Sequence, residues 1–117
     1  MKTFTQKLNE QVDIKVKPMN TELIYITEGE QQVGSLMLVF YENGASIYSL
    51  QVLDTHRGKG YGKRLVESAI SICKNKSCPC IELNTETDND IANSLYQSMG
   101  FQLRGLKDNF NNYIKPL

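Results

Sequence analysis

Three glycines spaced two residues apart form the part of this sequence best suited to bind an anion. Gly58, Gly60 and Gly62 follow a strand-like apolar run and open directly into a helical pattern. Glycine lets the backbone take positive φ and approach a ligand closely, and the first amides of a helix have no partner within the helix. The same stretch carries three positive side chains: Lys59, Lys63 and Arg64. The stretch therefore predicts a phosphate-binding junction between a strand and a helix.

The spacing of these glycines separates the junction from two other nucleotide-binding motifs. The letters RGKGYG (residues 57–62) are not the GxxxxGKS/T of a P-loop, because no Ser or Thr follows a lysine to hold magnesium. They are not GxGxxG either, because the third glycine comes one residue early. On these residues alone, a helix start that merely needs a flexible backbone stays open as an alternative.

Apolar periodicity predicts the elements that position this junction. Alternating or continuous apolar runs predict strands over residues 12–17, 23–27, 33–41, 45–53, 81–85 and 101–106, with a short seventh at 113–115. Helical spacing after the glycines predicts a helix with these inward residues: Leu65, Val66, Ala69, Ile70 and Cys73. A second helix, ended by Gly100, is predicted with these inward residues: Ile91, Ala92, Leu95, Tyr96 and Met99. Its N-cap candidates are Thr87, Asp88 and Asn89.

The order of these elements indicates an α+β fold. The dipeptide Asn43-Gly44 predicts a type I′ hairpin between the third and fourth strands. A helix joins the fourth strand to the fifth, so we expect those two strands to run parallel. The prediction is a sandwich-like domain with a mixed, mostly antiparallel sheet of six to seven strands and two helices. A Rossmann fold is disfavoured, because its glycine motif follows the first strand.

Composition narrows the class of protein. A chain of 117 residues, 40% of them hydrophobic, is long enough for one domain, which we expect to span residues 1–117. Lys plus Arg (13) balance Asp plus Glu (13), so we expect neither nucleic acid nor a membrane surface as partner. The N-terminus has no apolar signal core and no run is long enough to span a bilayer, so a soluble, cytoplasmic protein is expected.

The three cysteines predict reduced thiols rather than a disulfide or a metal site. Cys73, Cys78 and Cys80 are an odd number in a chain without a secretion signal. A metal site is not expected, because the one histidine, His56, is distant in sequence and no second cysteine pair exists. Cys73 is expected on the core-facing side of its helix.

Two motifs together resemble the GNAT superfamily of N-acetyltransferases. RGKGYG fits the family loop Q/R-x-x-G-x-G/A, and a second pattern fits the helix signature N-x-x-A-x-x-x-Y-x-x-x-G-F. That second pattern is formed by Asn89, Ala92, Tyr96, Gly100 and Phe101. The motifs stand in the family order, and with their flanking strands they cover residues 45–104. Their joint occurrence argues against a glycine loop that serves flexibility alone.

The resemblance implies an acetyl-CoA site where the fourth and fifth strands splay apart. Backbone groups of the fourth strand would pair with the pantetheine arm as an added strand would, and amides of the glycine loop would cradle the pyrophosphate. The second helix would help to hold the cofactor. The implied cofactor-binding residues are Leu50, Val52, Arg57, Gly58, Lys59, Gly60, Tyr61, Gly62, Lys63, Asn89 and Ala92. No metal is implied.

The resemblance also implies direct attack of an amine on the thioester. The developing oxyanion needs donors near the end of the fourth strand, and the departing thiolate needs a proton. Tyr96 occupies the family position that points at the CoA sulfur, and a phenol with a pKa of about 10 is protonated at neutral pH. The alternative for Tyr96 is a core aromatic whose hydroxyl bonds to a neighbour.

The general base cannot be carried over from the family. Asn84 stands where some members have glutamate. Glu86 and Asp54 are candidates by their proximity to the cleft, and the alternative is that both are solvated loop charges. The place of His56 beside the glycine loop favours a surface or cofactor-rim role.

The N-terminal region departs from the family, because residues 18–22 leave no room for the two helices that usually lie between the first two strands. We therefore expect an acceptor cleft that is either open or completed by another subunit, as in a homodimer. The preferred function is an acetyl-CoA-dependent N-acetyltransferase that acts on an amine of a small molecule, peptide or protein. The alternative is a non-catalytic module that binds acyl-CoA or a protein partner on the same fold.

Overall fold

The computed structural model describes residues 20–117. Its six strands are β1 (Asn20–Glu28), β2 (Gln31–Tyr41), β3 (Gly44–Val52), β4 (Cys80–Glu86), β5 (Gln102–Lys107) and β6 (Phe110–Pro116). Its helices are a single 3-10 turn (Asp54–His56), α1 (Tyr61–Asn75) and α2 (Asp90–Ser98). The strand predicted over residues 12–17 lies outside the described residues. In the described part, neither α-helix has the length and apolarity that crossing a bilayer requires.

The strands form one mixed sheet in the order β1-β2-β3-β4-β6-β5. Only β3 and β4 run parallel, and the other neighbouring pairs are antiparallel. The predicted α+β class, the two helices and the parallel pair are therefore confirmed. The short seventh strand predicted at residues 113–115 is longer than expected, and as β6 it lies between β4 and β5.

Both α-helices contribute to a single apolar cluster on one face of the sheet. Strand alternation directs every second residue of β2, β3, β4 and β6 toward it. The buried members are Leu36, Leu38, Phe40, Ala45, Ile47, Leu65, Val66, Ala69, Cys73, Ile81, Leu83, Tyr96, Phe101 and Tyr113. Complete burial of one such aliphatic side chain is worth about 1.5–3 kcal/mol.

The opposite side of the central strands is called the open face below. It carries the residues that alternate with the buried ones, namely Tyr48 on β3, Glu82 and Asn84 on β4, and Asn112 on β6. These side chains are polar and none of the four is fully buried. The sheet therefore presents an apolar, helix-covered face and a polar face at the same strands.

The inward position predicted for Ile91 is wrong, because this side chain is 86% exposed. The other residues predicted on that face of α2 are buried or half-buried, and Tyr96 is the most enclosed of them. Ile91 lies in the first turn of a helix of nine residues. Periodicity gives the direction of a side chain around the helix axis, but it does not show where a short helix overhangs its sheet.

The hairpin between β2 and β3 forms as predicted, but its turn differs. Tyr41 pairs with Gly44, so the turn residues are Glu42 and Asn43, and neither has positive φ. The type I′ turn predicted at Asn43-Gly44 is therefore wrong. A Cβ on Gly44 would lie 2.8 Å from the Sγ of Cys80 and 2.9 Å from its carbonyl oxygen, so glycine here serves close packing against β4.

The three cysteines are free, as expected, and Cys73 is fully buried in α1. Burial, together with the nearby Cys78 thiol, raises the pKa of the Cys73 thiol to about 12. Among residues 20–117, His, Cys, Asp and Glu side chains form no group of three or more that could hold a metal ion.

Differential alkylation should report this burial. Because the thiolate is the reactive form and the Cys73 thiol stays protonated, we expect iodoacetamide at about pH 8 to modify the partly exposed Cys78 and Cys80 and spare Cys73. Peptide mass mapping with and without urea measures this difference. Equal labelling of all three thiols in the folded protein would contradict the burial of Cys73.

Candidate functional site

The parallel strands β3 and β4 pair over only two positions before they diverge. Ala45 pairs with Ile81 and Ser46 with Glu82, whereas the other edge of β4 pairs with β6 along its whole length. Beyond these positions the facing edges of β3 and β4 have no strand partner in the described chain. An extended ligand with alternating donors and acceptors can occupy such a gap as an added strand.

A cavity of about 120 Å³ lies in this gap. It is lined by Ser46, Ile47, Tyr48, Ser49, Glu82, Leu83 and Asn84. The set includes residues from both faces of the sheet, because Ile47 and Leu83 belong to the apolar cluster whereas Tyr48 and Glu82 lie on the open face. The gap therefore connects the two faces.

A β-bulge in β3 lies where the strands separate. Ser35 pairs with Gln51 and Met37 with Tyr48, so Leu36 faces two residues of β3. One of them, Ser49, has a φ of +56°, which is unusual for a residue other than glycine. Because a bulge bends and twists its strand, it helps to turn β3 away from β4. The predicted cofactor contacts Leu50 and Val52 follow directly, and both are half-buried.

The glycine loop presents a row of backbone amides at the start of α1. Gly58 has a φ of +82°, and Gly60, the N-cap of α1, has a φ of +79°. The amide of Arg64 donates to the Gly60 carbonyl at 3.1 Å, whereas no amide of residues 58–63 donates to a backbone carbonyl in the described chain. The residues predicted to cradle a pyrophosphate thus lie together, with donors that an anion can engage.

A carboxylate at the end of β1 contacts three side chains of the loop region. Glu28 accepts hydrogen bonds from the Tyr61 hydroxyl and from Lys59 Nζ, the latter at 3.0 Å, and His56 Nε2 lies 3.2 Å from its Oε1. The Tyr61 hydrogen bond, followed by that of Lys59, lowers the pKa of Glu28. Sequence reasoning missed Glu28, because it lies some 30 residues from the loop and belongs to no motif.

Tyr96 lies on α2 and is buried among aromatic rings. Its ring centroid is 5.9 Å from that of Phe101 and 6.0 Å from that of Tyr113. Burial raises the pKa of its phenol, so the hydroxyl is protonated at neutral pH. In the described part of the chain this hydroxyl has no hydrogen-bond partner, which leaves its proton available to a ligand.

A hydrogen-bond network fixes α2 against β6 and so positions Tyr96. The buried Tyr113 hydroxyl donates to Asn93 Oδ1 at 2.7 Å and accepts from Gln97 Nε2 at 3.1 Å. Asn93 Oδ1 also accepts from Asn111 Nδ2 at 2.9 Å. Contacts from one strand to two points on the helix restrict both its rotation and its translation along the sheet.

The predicted cofactor contacts on α2 have a visible role in starting that helix. Asn89 is the N-cap, and its Oδ1 accepts a hydrogen bond from the Ala92 amide at 3.1 Å. Because this bond uses only the side-chain oxygen, the Asn89 amide group can still meet a ligand. Its contact with a cofactor stays a prediction.

The open face of the cavity carries a carboxylate that sequence reasoning missed. Glu82 lines the cavity and pairs with Arg104 Nη2 at 2.6 Å. Arg104 Nε donates to Asn112 Oδ1 at 2.7 Å, and Asn112 Nδ2 donates to Asn84 Oδ1 at 2.8 Å. Strand alternation could have revealed Glu82, because it lies two residues before Asn84 and hence on the same face.

The two general-base candidates named from the sequence, Glu86 and Asp54, lie outside the cavity, and so does His56. Glu86 is exposed at the end of β4, and Asp54 pairs with Arg57 at 3.1 Å on the surface. His56 contacts Glu28 and Thr55. None of them lines the cavity, and in the described chain Glu82 is the carboxylate that does.

A larger cavity of about 640 Å³ adjoins the β5–β6 hairpin. Its lining residues are Asn84, Gly105, Leu106, Lys107, Asp108, Phe110 and Asn112. Asn84 lines both cavities, so the larger one leads toward the gap between β3 and β4. A second reactant could therefore reach the gap from the side that carries Glu82.

Comparison with known proteins agrees with this architecture. A model of the acetyltransferase (GNAT) family matches residues 3–101. The chain is 46% identical over 52 residues to N-alpha-acetyltransferase 30 of Saccharomyces cerevisiae, covering 44% of this chain and 30% of that protein. It is 39% identical over 72 residues to streptothricin acetyltransferase of Escherichia coli, covering 62% and 41% respectively. The chain thus spans less than half the length of these relatives.

The fold is shared with the PaiA N-acetyltransferase of Thermoplasma acidophilum, whose crystal structure is a complex with coenzyme A. The TM-score is 0.79 at 19% sequence identity, and the match covers 95% of this chain and 65% of that one. This likeness concerns the fold alone. Because the family model matches most of the sequence and the sheet has the same architecture, the chain belongs to the acetyltransferase (GNAT) family.

Proposed function

We propose that this protein is an N-acetyltransferase that transfers the acetyl group of acetyl-CoA to an amine by direct attack in a ternary complex. The single observation that carries the proposal is the gap between β3 and β4, which leads to the glycine loop at the start of α1. The gap suits an extended amide-containing chain, and the loop suits a diphosphate. Pantetheine and the diphosphate are joined in that order in coenzyme A.

We assign roles to the side chains around the gap from the face of the sheet on which each lies. Tyr96 belongs to the apolar cluster on the helix side, together with Ile47 and Leu83 of the cavity wall, whereas Glu82 lies on the open face. The amine nitrogen attacks the thioester carbonyl from the open face, a C–N bond forms and the C–S bond breaks. The thiolate takes its proton from the Tyr96 hydroxyl, and the proton lost by the amine passes toward Glu82. The products are the acetamide and coenzyme A.

The acceptor is proposed only as an amine of a peptide, a protein or a small molecule. One relative is named for an N-alpha acceptor and another for streptothricin, so the names favour no single class. The cavity beside the β5–β6 hairpin has both apolar and charged walls, from Leu106 and Phe110 and from Lys107 and Asp108. These walls are the surfaces against which an acceptor would be selected.

Two measurements test the proposal. Titration calorimetry with acetyl-CoA should show binding of one molecule per chain. Release of free thiol should then be measured with peptides bearing a free N-terminus, the same peptides with a blocked N-terminus, and small polyamines. Thiol release that needs the free amine supports the enzyme. Binding without release on any of these amines favours the non-catalytic module, and no binding contradicts both.

Glu82→Gln tests the acceptor side. Because glutamine is isosteric and can still accept a hydrogen bond from Arg104, we expect the fold and the affinity for acetyl-CoA to be retained. Loss of the carboxylate should lower kcat/KM for the amine by about 10- to 100-fold near neutral pH, because proton removal from an ammonium then lacks its acceptor. Steady-state kinetics over pH 6–9 measures the effect.

The comparison variant for this prediction is Glu86→Gln, which removes the same charge from the same strand. Glu86 is exposed and does not line the cavity, so its loss should leave kcat/KM within about twofold. A large loss of kcat/KM in Glu86→Gln with none in Glu82→Gln would show that the general base is Glu86, one of the two candidates named from the sequence.

A further inference from the structure

We infer that Glu28, at the end of β1, is a positioning residue of the donor site, and that the diphosphate of the donor must displace its carboxylate from Lys59. The inference rests on the proposed function, since it takes coenzyme A as the ligand of the glycine loop. It adds to the site a strand end that neither motif includes.

The contacts of Glu28 place it at the loop and not merely near it. Glu28 accepts a hydrogen bond from Lys59 Nζ at 3.0 Å and another from the hydroxyl of Tyr61, which is the first residue of α1. His56, in the 3-10 turn before the loop, lies 3.2 Å from the other carboxylate oxygen. One side chain thus contacts the 3-10 turn, the glycine loop and the first residue of α1.

These contacts also determine the charge that the loop presents. Lys59 lies between two glycines of positive φ, where a phosphate would meet the loop amides, and its ammonium is directed at Glu28 instead. The hydrogen bond to Glu28 raises the pKa of Lys59, and hydrogen bonds from Tyr61 and then from Lys59 lower the pKa of Glu28, so both groups are charged at neutral pH. A dianionic diphosphate arriving at the loop is attracted by Lys59 and repelled by Glu28.

This competition predicts the direction in which the affinity for coenzyme A changes when the charge of Glu28 is removed. Glu28→Gln keeps an oxygen that accepts the Tyr61 hydrogen bond, so the loop remains attached to the end of β1 while the negative charge is removed. The affinity for coenzyme A should therefore rise. Removal of one unit charge near a phosphate, in partly solvated surroundings, corresponds to a gain of roughly three- to tenfold.

Glu28→Gln measured by titration calorimetry with coenzyme A is the test. We expect a lower Kd than in the unaltered protein, and a gain that shrinks as the salt concentration rises. The gain should persist with 3′-dephospho-coenzyme A, which keeps the diphosphate. If the gain vanished with that analogue, the 3′-phosphate would be the group that meets Glu28 and the assignment to the diphosphate would be overturned.

Two further variants separate a local contact from a general charge effect. Glu30→Gln removes the same charge two residues away, from an exposed side chain that forms no ion pair with any residue in the range 20–117. It should leave the Kd unchanged, and an equal gain there would overturn the inference. In a Lys59→Met background only the relief of direct repulsion remains, so the gain from Glu28→Gln should be smaller than in the unaltered protein. A gain of full size would overturn the displacement of Glu28 from Lys59.

Failure of the inference differs from failure of the proposed function. Unaltered protein that binds coenzyme A as tightly as Glu28→Gln, or more tightly, contradicts the role of Glu28 and leaves the function standing. Unaltered protein that does not bind coenzyme A at all contradicts the function, and the inference with it.

Discussion

Tyr96→Phe should keep the affinity for acetyl-CoA and lose about a hundredfold in kcat. The variant removes only the hydroxyl, so the ring keeps its packing against Phe101 and Tyr113. Without the phenol, the thiolate of coenzyme A leaves without a proton donor from the protein. Calorimetry gives the affinity, and thiol release at saturating acceptor gives kcat.

The same variant separates a catalytic role of Tyr96 from a structural one. Within residues 20–117 the Tyr96 hydroxyl has no hydrogen-bond partner, so its removal breaks no bond of the described fold. Thermal stability should therefore be close to that of the unaltered protein, because no buried side-chain N or O atom of the described residues lacks a hydrogen-bond partner. A kcat within twofold of the unaltered value would overturn the proton-donor role.

The burial of Tyr96 predicts how kcat depends on pH. Burial raises the pKa of the Tyr96 phenol above its ordinary value of about 10. The protonated form therefore persists to higher pH than in an exposed tyrosine. We expect no fall in kcat from phenol ionisation between about pH 7 and 9, and a fall that Tyr96→Phe abolishes would appear only above that range.

The sequence was most informative where side-chain periodicity and glycine spacing carry the signal. Alternation located five of the described strands closely, and the helical patterns located α1 and α2 with Cys73 and Tyr96 inward. Both patterns report a local choice between helix and strand and the direction of burial. Those two facts are enough to order the sheet up to β4 and to bring the glycine loop to the end of β3.

The residues that sequence reasoning missed depend on contacts across the sheet. Glu28 meets Lys59 only because β1 ends beside the loop, and Glu82 meets Arg104 only because β6 lies between β4 and β5. The insertion of β6 between those strands has no local signature in the chain. The bulge at Ser49 likewise depends on the register between β2 and β3, and a serine within a strand does not predict it.

These missed residues share a physical feature, which is that each carboxylate is paired with a cation at a rim of the gap. Glu28 is paired at the diphosphate end and Glu82 on the open face. The gap itself has an apolar wall on the helix side. A ligand in the gap therefore meets charged side chains at its two ends. The thioester in between lies in less polar surroundings, where hydrogen bonds from the protein are stronger.

Gly60→Ala should weaken the binding of coenzyme A by about 10- to 100-fold. Gly60 is the N-cap of α1 with a φ of +79°, a conformation that costs a residue with a Cβ roughly 1–2 kcal/mol. Relief of that strain would turn the amides of residues 58–63 away from a common point. Calorimetry measures the affinity, and thermal unfolding shows how much of the strain the fold itself bears.

The matched substitution is Gly62→Ala, one residue beyond the start of α1. Gly62 has no positive φ, and a Cβ built there has no neighbour within 4 Å. Alanine is also a better helix former than glycine by about 1 kcal/mol, so this variant should bind coenzyme A normally and unfold at a slightly higher temperature. An equal loss of affinity in both variants would show that the ligand approaches the backbone at residue 62. Normal binding in both would show that the loop amides do not hold the diphosphate.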